Sequence, residues 1–528
     1  MISQTPGAGR KRGLYLGVFG ALFFLTLLLG GQTPPYNDGR QIVDPAERVV
    51  YQGSFGIPVG DGTIFYNPRP MFISLVHVPE VLLRRGISAL FPAADSAARI
   101  MTYHLVPAAV LGLSGLLLLR FLLHIGVGMA AASLSAVAVA FSTILFVYGR
   151  LVWSDILQAV AFLGFFTELI LASRKPDRWA AIKVGLWAGL LMNTKYTFAL
   201  ALPGAALFLG MQAWPHLRTR GTAMLFAWTA CAFLPFALFI LWSNHHRWGD
   251  AWAMGYGGVP FQEAVFWGLY SLFFSIGKGL FLYDPVLALA FHNFRLPERW
   301  WLAVALVCGP VILLYAKASD WAGDWSWGPR YLAFFVPVLM VPVAVRLNTW
   351  IELRRRGLVV VFSSLVLVGV CVQLVGAGAY WDHFIRLSQA TSVEWLGNPN
   401  RAGSYSKKPG AHCDPCYEDL HNHTYTPAFQ PIEGHYWLLK RWFWRDTWGD
   451  CESDMPWRRY TSLSLAAPKK YCSGVEADWW FIMFRRSFPI AGIFLLGFFS
   501  LGTAGCTWLW VRGARRKALL SRSCVFPR

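Results

Sequence analysis

The chain has 528 residues, 55% of them hydrophobic and 16% aromatic, and its 47 Lys+Arg outnumber 28 Asp+Glu to give a formal net charge of +19. So much apolar surface excludes a single soluble domain and points to a polytopic helical membrane protein. The basic excess, read alone, suggests nucleic acid; its gathering on one side of the expected membrane makes it a mark of topology and of contact with anionic lipid headgroups, so no nucleic-acid partner is expected.

Apolar runs predict about twelve transmembrane helices, over 14–31, 100–119, 126–148, 152–172, 181–194, 196–213, 222–242, 279–293, 299–316, 331–346, 357–379 and 485–511. The first follows a basic start but precedes Gln32-Thr33-Pro34-Pro35, which is no small-residue cleavage site, so it is expected to stay as an uncleaved span. With the N-terminus in the cytoplasm, one face collects 1–13, 120–125, 173–180, 214–221, 294–298, 347–356 and 512–528. That face holds Arg10-Lys11-Arg12, Arg354-Arg355-Arg356 and Arg515-Arg516-Lys517, and its acids are Asp177, Glu298 and Glu352. Short basic loops inside and long balanced loops outside are the positive-inside pattern of a multi-pass plasma (inner) membrane protein.

The external loop over 32–99 is the most informative element. It opens on Tyr36-Asn37-Asp38-Gly39-Arg40, passes Asp44, Glu47, Asp61 and Tyr66-Asn67-Pro68-Arg69-Pro70, and ends in an apolar stretch, Val76–Leu90, that predicts a helix lying in the membrane interface. A loop of this size that starts with a carboxylate close to the lipid surface is expected to be functional. Further outward stretches bring Asn193-Thr194-Lys195-Tyr196, then His245-His246-Arg247 through Gly277-Lys278-Gly279 to Tyr283-Asp284-Pro285, then Trp325-Ser326-Trp327-Gly328-Pro329-Arg330-Tyr331. Arg150 and Asp155, around the turn between spans three and four, are expected to form a structural ion pair.

Asp38 after the first span, Leu190-Leu191-Met192-Asn193-Thr194-Lys195, Gly277-Lys278-Gly279-Leu280-Phe281-Leu282-Tyr283-Asp284-Pro285 and Trp325-Ser326-Trp327-Gly328-Pro329-Arg330-Tyr331-Leu332 together resemble the C-type (GT-C) integral-membrane glycosyltransferases. Within that family the bacterial branch related to protein mannosyltransferases and the aminoarabinose transferase is most similar, over about 14–350. The resemblance implies a GT-C-like fold, a sugar donor on a polyprenyl phosphate, inversion at the anomeric carbon, and an acid of the first external loop as the catalytic carboxylate, here Asp38. Many relatives carry a second acid directly after the first, where this chain has Gly39 and Arg40.

The chemistry suits these residue types. An acceptor hydroxyl attacking the anomeric carbon needs a carboxylate to take its proton, and Asp38 is best placed, with Asp44, Glu47 or Asp61 as substitutes. The departing lipid phosphate needs cationic donors near the headgroup plane, for which Lys278, Arg330 and Lys195 are the candidates. Arg40, Asp61, Arg69, Tyr283 and Trp327 are candidate substrate-binding residues, the aromatics offering faces to sugar rings. No metal site is predicted, since Asp320 and Asp324 lack Asp-x-Asp spacing, and no cofactor is expected; whether a divalent metal takes part stays open.

Cys413-x-x-Cys416, Cys451 and Cys472 share the outward segment. Two disulfides in an oxidising compartment are favoured over zinc, with the connectivity open. The Trp-rich stretch 435–457 is expected to form a packing core. The chain therefore divides into a GT-C-like transmembrane catalytic region, 1–379; an outward Cys/Trp-rich module, 380–484; and a last transmembrane helix with a basic cytoplasmic tail, 485–528. The expected partners are a polyprenyl-phosphate sugar donor, a glycan, lipid or protein acceptor, and membrane lipids, with the active site facing the periplasm or cell exterior. A flippase for a lipid-linked glycan, or a ligase or polymerase using a diphosphate-linked oligosaccharide, are the rival readings.

Overall fold

The computed structural model describes residues 8–35, 38–58, 64–213, 220–255, 261–291, 299–319, 321–323, 326–379, 384, 430–444 and 477–522. Among them the regular structure is helical, apart from one antiparallel pair of two-residue strands, β1 (Ile57–Pro58) and β2 (Ile64–Phe65). In chain order the helices begin with α1 (Ala8–Leu28), α2 (Asp38–Gln52), α3 (Met71–Leu90), α4 (Asp95–Thr102), α5 (Leu105–His124), α6 (Met129–Phe141), α7 (Leu145–Gly149) and α8 (Ser154–Arg174). There follow α9 (Arg178–Thr194), α10 (Ala201–Ala213), α11 (Arg220–Trp248), α12 (Val265–Phe274), α13 (Leu280–Tyr283), α14 (Trp300–Ala303) and α15 (Gly309–Lys317). The last are α16 (Val336–Glu352), α17 (Arg356–Gly378), α18 (Pro431–Trp444), α19 (Trp480–Ser487) and α20 (Pro489–Arg522).

Six stretches among the described residues are long and apolar enough to cross a membrane: Pro92–His124, Ser154–Arg174, Ala223–Trp248, Trp300–Lys317, Arg356–Gly378 and Pro489–Ala514. Shorter apolar helices run over Arg12–Leu28, Met129–Phe141, Tyr196–Gln212 and Val265–Phe274. Among the described residues, then, not every one of the twelve expected spans is a single long helix, and three of the interruptions have local causes. The run 126–148 breaks at Ser142-Thr143, whose hydroxyls turn back to the Ala138 and Val139 carbonyls at 2.7 and 2.6 Å. The run 279–293 breaks at Asp284-Pro285: proline disfavours the helical conformation in the residue before it, and Asp284 sits at φ −126°, ψ 60° between α13 and a 3-10 stretch over Pro285–Phe291. The run 331–346 starts late, as α16, after a 3-10 turn at Arg330–Leu332.

The core gathers around α8 and α16. Phe334 packs against Phe162 and Phe198 at centroid distances of 4.7 and 5.3 Å, which seats the chain just before α16 on α8. Residues Val336–Ala344 are buried on all sides, as a central helix requires. At the periphery α1 lies along α20: a Cβ on Gly17 would stand 2.5 Å from the Trp510 backbone nitrogen, so these helices approach as closely as small residues allow. In the expected outward module, Cys413, Cys416, Cys451 and Cys472 lie outside the described residues. Of its Trp-rich stretch, Trp437 is buried on α18. Its C-terminal root folds back onto α1, where Trp480 donates to the Leu27 carbonyl at 2.9 Å and packs with Leu27, Ala108, Phe484 and Phe499.

Candidate active site

Asp38 stands in the first turn of α2, where unpaired backbone N–H groups and the helix dipole favour a carboxylate. The buried residues Gly39, Ile42, Val43 and Ala46 recur at helical spacing, and Ile42 and Val43 pack with Ile73, Tyr103 and Val152. Position 39 has no room for a side chain, since a Cβ there would lie 2.6 Å from the Val152 carbonyl oxygen. The glycine lets α2 start directly against the extended strand of chain leading to Trp153, and it explains why a second acid cannot follow Asp38 in this chain.

Arg330 donates to Asp38 Oδ2 at 2.6 Å, from a residue 292 positions away, and Arg69 donates to Oδ1. Arg330 lies over the faces of Trp153 and Tyr331, at 5.2 and 5.1 Å. Its approach depends on Gly323, whose φ of +71° suits glycine and whose missing side chain leaves space for Arg330 Cγ, 2.8 Å from where a Cβ would be. Arg69 is held by its Nε to Gln41 Oε1 at 3.1 Å and by its backbone N–H to Asn67 Oδ1 at 3.0 Å. Burial alone pushes the Asp38 carboxyl up, but the charges and hydrogen bonds of Arg330 and Arg69 outweigh it and hold the group at about 2, against the usual 3.8.

The substitutes for Asp38 are occupied otherwise. Glu47 binds Arg84 at 2.6 Å, Tyr103 at 2.5 Å and Arg99 at 3.3 Å, a clamp joining α2, α3 and α4. Asp44 faces Arg40 at 3.8 Å, and Arg40 is largely exposed. Asp61 lies outside the described residues, as do Asp320 and Asp324.

Of the predicted cations, Lys195 places its ammonium over the Tyr331 and Tyr315 rings at 4.3 and 4.9 Å, and Tyr331 directly follows Arg330 in sequence. Lys278 is buried and donates to the backbone carbonyl of Ser326 and to its hydroxyl at 3.1 Å. Two substrate-binding candidates are core residues instead. Tyr283 is fully buried, donates to the Gly277 carbonyl at 2.7 Å and meets Trp327 edge-on at 5.1 Å. Trp327 is buried against α17, with its indole N–H on Gln373 at 3.2 Å. Both rings are consumed by packing, which is why neither offers a face to a sugar here.

The expected Arg150–Asp155 pair does not form. Arg150 donates to the carbonyls of Leu29, Ala377 and Asp478 at 2.5, 2.6 and 2.6 Å, and its carboxylate neighbour is Asp478 at 3.9 Å. Asp155, in the first turn of α8, faces the other way. It is 3% exposed, makes no hydrogen bond or ion pair among the described residues, and lies within electrostatic range of Arg330, Lys195, Asp38 and Arg69. Read from the sequence as Arg150's partner, it was missed as a neighbour of Arg330 and Asp38; its signal was an acid at the start of an otherwise apolar span. Among the described residues no group of three or more His, Cys, Asp or Glu side chains could hold a metal ion.

The outcome is a gathering of opposite charges: two carboxylates, two guanidiniums and an ammonium, backed by Trp153, Tyr315 and Tyr331. No protein-family model matches the chain and no curated protein does. Among solved structures it is similar to ArnT from Cupriavidus metallidurans bound to undecaprenyl phosphate, at 16% identity and a TM-score of 0.46, covering 82% of this chain and 76% of that one. The same protein in the apo state gives 17% identity and a TM-score of 0.44, over 75% of this chain and 66% of that one. Both scores lie below 0.5, so the chemistry rests on this chain's own residues.

Proposed function

We propose that the chain is a membrane glycosyltransferase that moves a sugar from a polyprenyl-phosphate carrier to a glycan, lipid or protein acceptor on the outer face of the plasma membrane. The observation that carries this reading is the Arg330–Asp38–Arg69 clamp, with the unpartnered carboxylate of Asp155 and the ammonium of Lys195 beside it. In the transfer, the bond from the anomeric carbon to the phosphate oxygen breaks and a bond to the acceptor oxygen forms. The acceptor proton goes to a carboxylate and the phosphate leaves as an anion. Cations and carboxylates are thus needed within one turn of each other, and these residues supply both.

The clamp also suggests an order of events. A carboxylate held at about 2 is a poor base, because its conjugate acid is far stronger than the operating pH requires. The donor phosphate, a singly charged diester, accepts bidentate hydrogen bonds from guanidiniums as a carboxylate does, and it gains charge as the sugar departs, which strengthens its claim on them. As Arg330 and Arg69 turn to the phosphate, Asp38 loses the partners that depress it, and its basicity rises only once donor is bound. Lys195 and Lys278 remain candidates for the same phosphate.

The test is Asp38→Asn in full-length protein in lipid nanodiscs, with a panel of radiolabelled polyprenyl-phosphate sugars. The amide keeps size and hydrogen bonding but cannot take the proton, so turnover of whichever donor the wild type consumes falls by roughly 10²–10⁴ while donor binding persists. Near-normal transfer would remove Asp38 from the chemistry and make Asp61 the next residue to test.

A further inference from the structure

Arg247, in the last turn of α11, is buried and makes five hydrogen bonds, none of them to a carboxylate. Its Nη1 donates to the Arg69 carbonyl at 2.6 Å and to the Asn67 carbonyl at 3.0 Å. Nη2 donates to Asn244 Oδ1 at 2.9 Å and to the Tyr196 hydroxyl at 3.2 Å, and Nε to the Ser243 carbonyl at 3.1 Å. Burying a guanidinium among neutral acceptors is costly unless every N–H is satisfied, so the site is built for this residue.

The segment it grips explains the need. In Tyr66-Asn67-Pro68-Arg69-Pro70 the two prolines remove two backbone donors, so the chain here cannot pair with itself in a ladder, and the carbonyls of Asn67 and Arg69 require donors from elsewhere. Arg247 supplies both. The same guanidinium holds Tyr196, which directly follows Lys195, so one side chain joins the segment bearing Arg69 to the segment bearing Lys195.

We propose that Arg247 is a positioning residue, which fixes where the Arg69 guanidinium meets Asp38 by holding the Arg69 backbone. It touches neither Asp38 nor Arg69's charged group, and its effect on the site is transmitted through the two carbonyls. The proposal rests on the reading of Asp38 as a site residue, but the geometry it asserts can be measured with no donor present.

The groups facing Asp38 are Arg69, Arg330 and, at longer range, Asp155; Arg40 on its own helix pairs with Asp44. Water-soluble carbodiimide reacts with protonated carboxyls, so modification of the Asp38 peptide at pH 5, quantified by mass spectrometry in full-length protein in nanodiscs, reports how firmly its cations hold it. Arg69→Ala gives the full effect. Arg247→Ala should raise modification by about three- to tenfold, the change produced by half to one unit in the carboxyl's pKa. The Arg69→Ala/Arg247→Ala double variant should label no more than Arg69→Ala alone, because both changes act through one guanidinium. A fastener with no bearing on Asp38 would move thermal stability and leave the labelling alone. Should Arg247→Ala fail to fold, Arg247→Gln keeps one amide donor for the two carbonyls and should label between wild type and Arg69→Ala. Wild-type labelling in the folded variant, beside raised labelling in Arg69→Ala, overturns the proposal. The glycosyltransferase reading fails separately, on transfer by Asp38→Asn.

Discussion

Gly39→Ala separates the placement of Asp38 from the stability of the fold. The added Cβ would lie 2.6 Å from the Val152 carbonyl oxygen and 3.3 Å from Pro35 Cβ. An ordinary carbon–oxygen contact needs about 3.3 Å, so roughly 0.7 Å of relief is required. The obstacle is backbone, so the start of α2 must yield, and Asp38 moves with it, away from an Arg330 contact that now stands at 2.6 Å. Misplacing a reacting group by about 1 Å costs on the order of 10²-fold, so turnover should fall by roughly 10–10². Stability responds less: the clash costs about 1–3 kcal/mol, while replacing glycine by alanine in a helix returns about 1 kcal/mol. The expected signature is a large loss of kcat with a Tm shifted by a few degrees. The assay is transfer from the donor the wild type consumes, run beside thermal unfolding, with Gly86→Ala as the control because nothing lies within 4 Å of its Cβ position. Wild-type kcat in a folded Gly39→Ala protein would refute the claim that the contact of α2 with Val152 places Asp38 for the proposed transfer.

Asp155→Asn keeps the shape of a buried side chain and removes its capacity to take or give a proton; kcat should fall by about 10²-fold with little change in the donor's KM, and an unaltered kcat would return the residue to packing. Glu47→Gln should do the opposite, lowering stability by about 2–4 kcal/mol through the loss of its contacts with Arg84, Tyr103 and Arg99 while kcat stays within about twofold. For pH, the sign follows from a folded carboxyl at about 2 below its usual 3.8: Asp38 contributes stability above about pH 4 that is lost as pH falls through 2. In kcat/KM the acid limb set by Asp38 should therefore lie at very low pH in the wild type and rise by a unit or more in Arg69→Ala, and identical limbs in the two proteins would contradict the clamp.

Hydropathy and residue type made α1, α5, α8, α17 and α20 legible, and the predicted interface helix over 76–90 falls within α3. Asp38, Arg330, Arg69 and Lys195 were nameable because each is a charge stranded beside apolar sequence. Their convergence was not legible, since nothing local links Asp38 to a residue 292 positions away. Arg150 and Asp155 misled for a related reason: spacing suggested a pair, but the chain turns between them and sends one to Asp478 and the other toward Arg330. Arg247 sits in a His-His-Arg run that looks like any basic helix end, and only the two carbonyls it reaches set it apart.

The broken spans explain why the site was the harder part to read. A membrane-embedded helix that stops leaves backbone groups without partners, and such a break survives only where protein groups replace the lost bonds. Here the replacements come from distant elements: Asp284 accepts from the Ile144 N–H at 2.7 Å, and Gln373 donates to the Tyr283 carbonyl at 2.8 Å. Tyr148 donates to the Trp327 carbonyl at 2.7 Å, while Trp327 in turn donates to Gln373. These bonds close the gaps at Ser142-Thr143 and Asp284-Pro285 and, through Trp327, hold the turn that presents Arg330 three residues later. Tyr283 and Trp327 therefore resemble sugar-binding aromatics in sequence because they sit in the right loops, yet they act one layer beneath, as the floor on which the Arg330 clamp is set. An apolar window averages over such breaks and reports a continuous span, so the features that build the site are the ones hydropathy smooths away.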